Sequence, residues 1–129
     1  MPGTAAPDPL TDVLTALRET VMGMSESVVS TADGLLVAAD ADTSHPESVA
    51  ALAAACLGLG RRMAQQAGSG PLREVVTRCA GGHIVVFAIG DRALLTVIGD
   101  EGLDTATLQR EAPAAIEQLG KLLAADAAS

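Results

Sequence analysis

Few side chains in this sequence are placed for chemistry, and their spacing sorts them quickly. Binding a nucleotide needs a glycine-rich turn between a strand and a helix, where backbone N–H groups meet phosphate. GLGRRM, residues 58–63, has two glycines of such a fingerprint but lacks the third and lies inside a helical pattern. GSGP, residues 68–71, has no following Lys-Ser/Thr and is no P-loop. Asp33 and Asp91 stand in turn sequences, where a short carboxylate bonds nearby backbone rather than serving as acid or base. His83 follows a Gly-Gly turn and reads as the first residue of a strand. Cys56, Cys79, His45 and His83 have no zinc-ligand spacing, and the two cysteines read as buried reduced thiols of a cytoplasmic protein. No catalytic residue, cofactor or metal site is therefore expected. Arg61 and Arg62 keep two readings open: a pair aimed at a partner's acidic surface, or a solvated pair complementing the C-terminal dipole of a helix.

The elements that carry these residues set a different question. ESVAALAAACLGLGRRMAQ, residues 47–65, has no charged side chain from Ser48 through Gly60, although a helix packed on one surface should show a polar face. From Val49 to Gly60 it would extend about 18 Å, too short for a bilayer core of ~30 Å, so membrane insertion is not expected. MPGTAAPDPL has no basic residue and does not read as a secretory leader. Protein must surround this helix. A chain of 129 residues fits one domain, expected over residues 9–124, with a flexible N-terminal tail at 1–8 and a C-terminal tail at 125–129. One Phe and no Trp or Tyr leave burial to Ala, Val and Leu. A mean hydropathy of +0.36 is high for a small soluble protein and suggests a surface reserved for a partner. A formal charge of −8 disfavours nucleic acid and anionic membrane surfaces.

Periodicity gives the order of elements. Asp8-Pro9 reads as N-cap and first position of a helix to about Met22, with Leu10, Val13, Leu14, Leu17 and Val21 at helical spacing. Ala32-Asp33-Gly34 separates two short strands, 27–31 and 35–39. Ser44 and Glu47 read as a capping box opening the long helix, which runs to about Gln66. LREVVTRC, HIVVFAI and RALLTVI then form a three-stranded meander, and the continuously apolar stretch 84–89 predicts cover on both faces of the sheet. A last helix spans about 104–124, with Pro113 expected to kink it or mark its start. The class is α/β (α+β), order α-β-β-α-β-β-β-α, a five-stranded antiparallel-type sheet between helices in three layers.

Within the long helix, Ala50, Ala54 and Gly58 fall four apart, a ridge where a second helix could approach closely. Val49, Leu52, Cys56, Leu59 and Met63 make a bulky stripe beside it. An Ala-rich core helix would show the same pattern. Two mid-helix glycines cost about 1 kcal/mol each relative to Ala, which close packing would offset.

VVSTADGLLVAAD leading into VAALAAACLGLGRRMA, followed by GGHIVVFAIGDRALLTVIGD, resembles the roadblock (dynein light chain) family, over roughly residues 9–124. The Ala-rich, Lys-poor and Asn-free composition looks like that of a high-GC genome, and the chain resembles a bacterial, actinobacterial-type member of the family. The resemblance implies a homodimer or heterodimer whose sheets join edge to edge through the third strand, with the two long helices side by side on one face and the other helices on the opposite face. Residues then expected at a homodimer interface are Val49, Ala50, Leu52, Ala54, Cys56, Leu57, Gly58, Arg73, Val75 and Thr77. Residues expected to meet a partner are Leu59, Arg61, Arg62, Gln65 and Gln66. The implied function is a non-enzymatic cytoplasmic scaffold that binds and regulates a small Ras-like GTPase in a bacterial signalling system, together with a sensor kinase complex. The alternative is a small-molecule sensor of similar architecture, which would need a roomy pocket with convergent polar groups.

Overall fold

The computed structural model describes residues 8–42 and 44–128. Its elements are α1 (Pro9–Thr20), β1 (Met24–Thr31), β2 (Leu36–Asp40), α2 (Pro46–Ala67), β3 (Glu74–Cys79), β4 (Gly82–Ile89), β5 (Ala93–Asp100) and α3 (Thr105–Ala128). The strands form one antiparallel sheet in the order β2-β1-β5-β4-β3. This is the expected order and class. Residues 1–7 of the expected N-terminal tail and Ser129 lie outside the described residues, and 125–128 continue α3 rather than forming a tail.

Alternation along the central strands sorts the core into two layers. Val85, Phe87 and Ile89 of β4 join Leu95 and Val97 of β5 beneath Leu14 and Leu17 of α1 and Leu108, Ala112 and Leu119 of α3. The intervening Ile84, Val86 and Ala88 face the other way, with Leu94, against Ala53 and Leu57 of α2. Stretch 84–89 is apolar throughout because each side chain meets one of two cores, as predicted. An ion pair at 2.6 Å from Arg18 Nε to Asp40 Oδ2 ties α1 to the outer strand β2.

Several local expectations hold at the residue level. Asp8 caps α1, its carboxylate accepting from Leu10 N at 3.1 Å with Pro9 in the first turn. Gly34 takes φ +91 in the β1–β2 turn. Among the described residues the expected Asp33 side-chain bond to the backbone is not made: the side-chain acceptor in the turn is Thr31, whose hydroxyl receives Leu35 N at 3.1 Å, and Asp33 is exposed. Asp91 is likewise exposed in its turn and does not make the backbone bond expected of it either. His83 bonds the Asp100 carbonyl through Nδ1 at 3.2 Å; a carbonyl only accepts, so the Nδ1–H tautomer makes this bond.

Other expectations are corrected. The Ser44/Glu47 capping box does not form: with Pro46 as the first helical residue, His45 becomes the N-cap and makes no side-chain cap bond. The loop before α2 is gathered instead by the buried Glu26 of β1, whose Oε2 accepts Asp42 N at 2.7 Å and Ser44 N at 3.3 Å. β1 accordingly starts three residues earlier than the apolar pattern indicated, because Met24 and Glu26 pair with the end of β5. α1 ends at Thr20 rather than Met22, where the backbone of the cap residue Val21 turns extended. Pro113 does not open α3, which begins eight residues before it; the proline is exposed within the helix.

The two glycines of α2 have separate explanations. A Cβ on Gly60 would meet Leu72 Cδ2 at 2.8 Å and Val75 Cγ2 at 2.9 Å, whereas one on Gly58 would meet nothing within 4 Å. Gly60 therefore seats β3 and its lead-in against α2 within one chain. Gly60→Leu should overpack this contact and lower the unfolding free energy by about 1–3 kcal/mol, read as a lower urea midpoint at unchanged m-value.

Asp104 caps α3: its Oδ2 accepts the Thr107 hydroxyl at 2.6 Å and its Oδ1 accepts Thr107 N at 3.0 Å. These bonds, the hydroxyl's first, hold its carboxyl below the ordinary range. A depressed folded pKa stabilises the fold above the unfolded value of about 3.9, and that contribution is lost as pH falls through the folded pKa. Asp104→Ala should therefore melt below the wild type near neutral pH, with the gap closing on acidification below that value, as thermal melts across pH will show.

Candidate protein-interaction face

α2 crosses the sheet from the β2 side to the β3 side. Near its N-terminal half, Gly34 of the β1–β2 turn lies against Ala51 and Ala54; towards its C-terminus, Gly60 lies against Leu72 and Val75. One helix is about 10 Å across, while five strands at ~4.8 Å spacing span roughly 20 Å. α1 and α3 share the opposite face, but among the described residues α2 has its own face alone. Its outward side is correspondingly bare: Leu52 is 71% exposed, Leu59 60% and Met63 67%. Leu59, Arg62, Met63, Gln66 and Ala67 line a shallow hollow on that side.

β3 is bare as well. It is an edge strand, its residues from Val76 to Cys79 are exposed, and Val76 alone keeps 50% of its surface in solvent. Register places Val75 and Thr77 on the α2 side, opposite Val86 and Ile84, and Val76 and Arg78 on the other side, opposite Val85 and His83. An unprotected edge offers its outward N–H and C=O groups to another strand.

The residues expected at a dimer interface divide accordingly. Leu52 and Gly58 on α2, and Arg73 and Thr77 at β3, are exposed; Val49, Ala54, Cys56 and Val75 are half-buried. Ala50 and Leu57 do not belong with them, since they are 0% and 1% exposed beneath their own helix. The reason is helical phase: steps of four overshoot a turn by about 40° each, so the Ala50–Ala54–Gly58 line drifts from the sheet side to the solvent side. Cys79, expected to be buried, is exposed, and Cys56 is half-buried. Among the residues expected to meet a partner, Leu59, Arg62, Gln65 and Gln66 are exposed. Arg61 is half-buried and its Nη2 donates to the Gly90 carbonyl at 3.2 Å, so it braces the β4–β5 turn. Sequence reasoning passed over Val76 and left Met63 out of the partner face. The consecutive pair Val75-Val76 was the available signal, because in a strand adjacent side chains face opposite sides.

An open groove of about 1070 Å³ lies where the end of α2, the lead-in to β3 and α3 meet, lined by Arg61, Arg73, Glu74, Phe87, Gln109 and Ile116 among others. Two of its polar groups are engaged within the chain: Gln109 Nε2 donates to Glu74 Oε2 at 2.6 Å, and Arg61 to Gly90. No helix among the described residues is long and apolar enough to cross a membrane.

Comparison with known proteins agrees with this architecture. A Roadblock/LC7 domain crystal structure from Streptomyces avermitilis superposes with a TM-score of 0.84 at 24% identity, covering 90% of this chain and 98% of that one. The gliding protein MglB from Thermus thermophilus superposes with 0.78 at 20% identity, covering 91% and 92% of the two chains. Myxococcus xanthus MglB gives 0.80 at 18% identity, covering 90% and 95%. No curated protein matches the sequence. At these identities the likeness is one of fold; the sequence itself matches the Roadblock/LC7 domain over residues 10–99, from α1 to the end of β5. The chain belongs to the Roadblock/LC7 family.

Proposed function

We propose that this protein is a non-enzymatic homodimeric scaffold that binds and regulates a small Ras-like GTPase in a bacterial signalling system. The observation that carries the reading is the contiguity of two uncovered features, the apolar outward side of α2 and the open edge of β3. Joining two copies through β3 would continue the sheet and bring two α2 helices onto one face. Leu52, Gly58 and the half-buried Val49, Ala54 and Cys56 then meet the twin, together with Arg73, Val75 and Thr77. The C-terminal half of α2, with Leu59, Arg62, Met63, Gln65 and Gln66, stays outward for the GTPase. Family membership supports the GTPase as partner, through the regulatory role that the roadblock resemblance implies.

The sensor reading has the roomy groove it requires, but the groove is open and its Arg61 and Gln109 already bond within the chain. Pull-down of the Ras-like GTPases of the source genome, each loaded with GDP or a GTP analogue, tests the function directly. Capture of none of them would overturn it.

The dimer is tested separately. Light scattering at micromolar concentration should give twice the chain mass of 12.9 kDa. Gly58→Glu and Leu52→Glu should each give the monomer mass, because a carboxylate would be desolvated between the two helices. Both positions face solvent in the single chain, so the chain should still fold. A third variant, Leu59→Ala, should weaken GTPase binding by about tenfold or more, as an apolar anchor does, while leaving the dimer mass unchanged. Surface plasmon resonance on that variant measures this.

A further inference from the structure

Charge is distributed unevenly along this chain. Residues 48–73, which comprise nearly all of α2 and the lead-in to β3, contain three arginines and no carboxylate, while the rest of the chain contains five basic and sixteen acidic side chains. An acidic protein therefore presents one stretch from which its own negative charge is absent. Glu47, in the first turn of α2, is fifteen residues from Arg62, roughly 22 Å along the helix, well beyond a screening length of ~8 Å at physiological salt. Glu74 is on the far side of the sheet, accepting from Gln109 of α3. Asp91 adjoins Gly90, the residue to which Arg61 turns. Arg62 makes no hydrogen bond or ion pair among the described residues, and it borders the hollow, of about 660 Å³, that Leu59, Met63, Gln66 and Ala67 complete.

We propose that the partner surface received by the C-terminal half of α2 is acidic: one apolar side chain entering the hollow between Leu59 and Met63, flanked by carboxylates that meet Arg62. Complementary charge is the argument for the occupant. A basic partner would be drawn to the remaining surface, where the carboxylates are, and would be opposed at α2. An uncharged apolar partner would leave the lack of carboxylates without a role. The inference rests on α2 being a protein-docking face and adds the chemistry of what docks there.

The test uses two helical peptide probes built on one leucine frame, one rich in glutamate and the other in lysine, titrated into the full-length protein and followed by ¹⁵N–¹H correlation spectra. The glutamate peptide should shift the amides of residues 59–67 and bind there about fivefold more tightly than the lysine peptide, the range of surface charge pairs. That preference should vanish in Arg62→Glu and at about 0.5 M salt. A lysine peptide that engages residues 59–67 equally well, or a glutamate peptide that shifts nothing there, overturns the proposal. The GTPase reading fails independently: if no GTPase is captured and the glutamate peptide still maps to α2, the acidic-partner inference stands and the partner is another protein. If a GTPase binds equally to wild type and Arg62→Glu across a salt series, docking stands and the acidic-partner inference falls.

Discussion

A sheet whose middle strands are apolar on both faces must be covered on both, and here the cover is unequal. α1 and α3 together cover one side, packing Leu14, Leu17, Leu108, Ala112 and Leu119 over β4 and β5. On the other side the cover among the described residues is α2 alone. A single helix about 10 Å wide can protect only a diagonal band of a five-stranded sheet. Much of what distinguishes this molecule follows from that shortfall. The strand at the end of the band, β3, is left exposed, and among the described residues the helix has no neighbour on its outward side.

α2 has consequently been shaped by two environments. Towards the sheet it carries Ala50, Ala53 and Leu57, which are buried, and Gly60, whose missing side chain lets Leu72 and Val75 close in. Towards solvent it carries Leu52, Leu59 and Met63, with Gly58 open between them. Exposed apolar residues scattered singly need no explanation, but these recur at helical spacing on one side of a helix next to a free strand edge. Carboxylates set the starts of the helices: the buried side chain of Glu26 organises the loop that launches α2, and the side-chain caps at Asp8 and Asp104 start the other two.

The sequence by itself determined the elements and their order, because those depend on local pattern: apolar residues at helical spacing for α1 and α3, consecutive apolar residues for β4, glycine at the β1–β2 turn, and proline after a capping aspartate at α1. The absence of a polar face on α2 was legible too, and with it the need for surroundings beyond one sheet. Tertiary structure decided the rotational phase of α2 against the sheet, and hence that Ala50 and Leu57 face inward while Leu52, Gly58 and Met63 face out. It also decided that Gly60 is an intrachain contact, that Glu26 replaces the Ser44/Glu47 cap, and that Arg61 braces a turn while Arg62 is left in solvent. Each of these depends on where a second element, distant in sequence, comes to rest. In a helix so uniformly apolar, composition cannot mark the buried side, and only the contact with the sheet can.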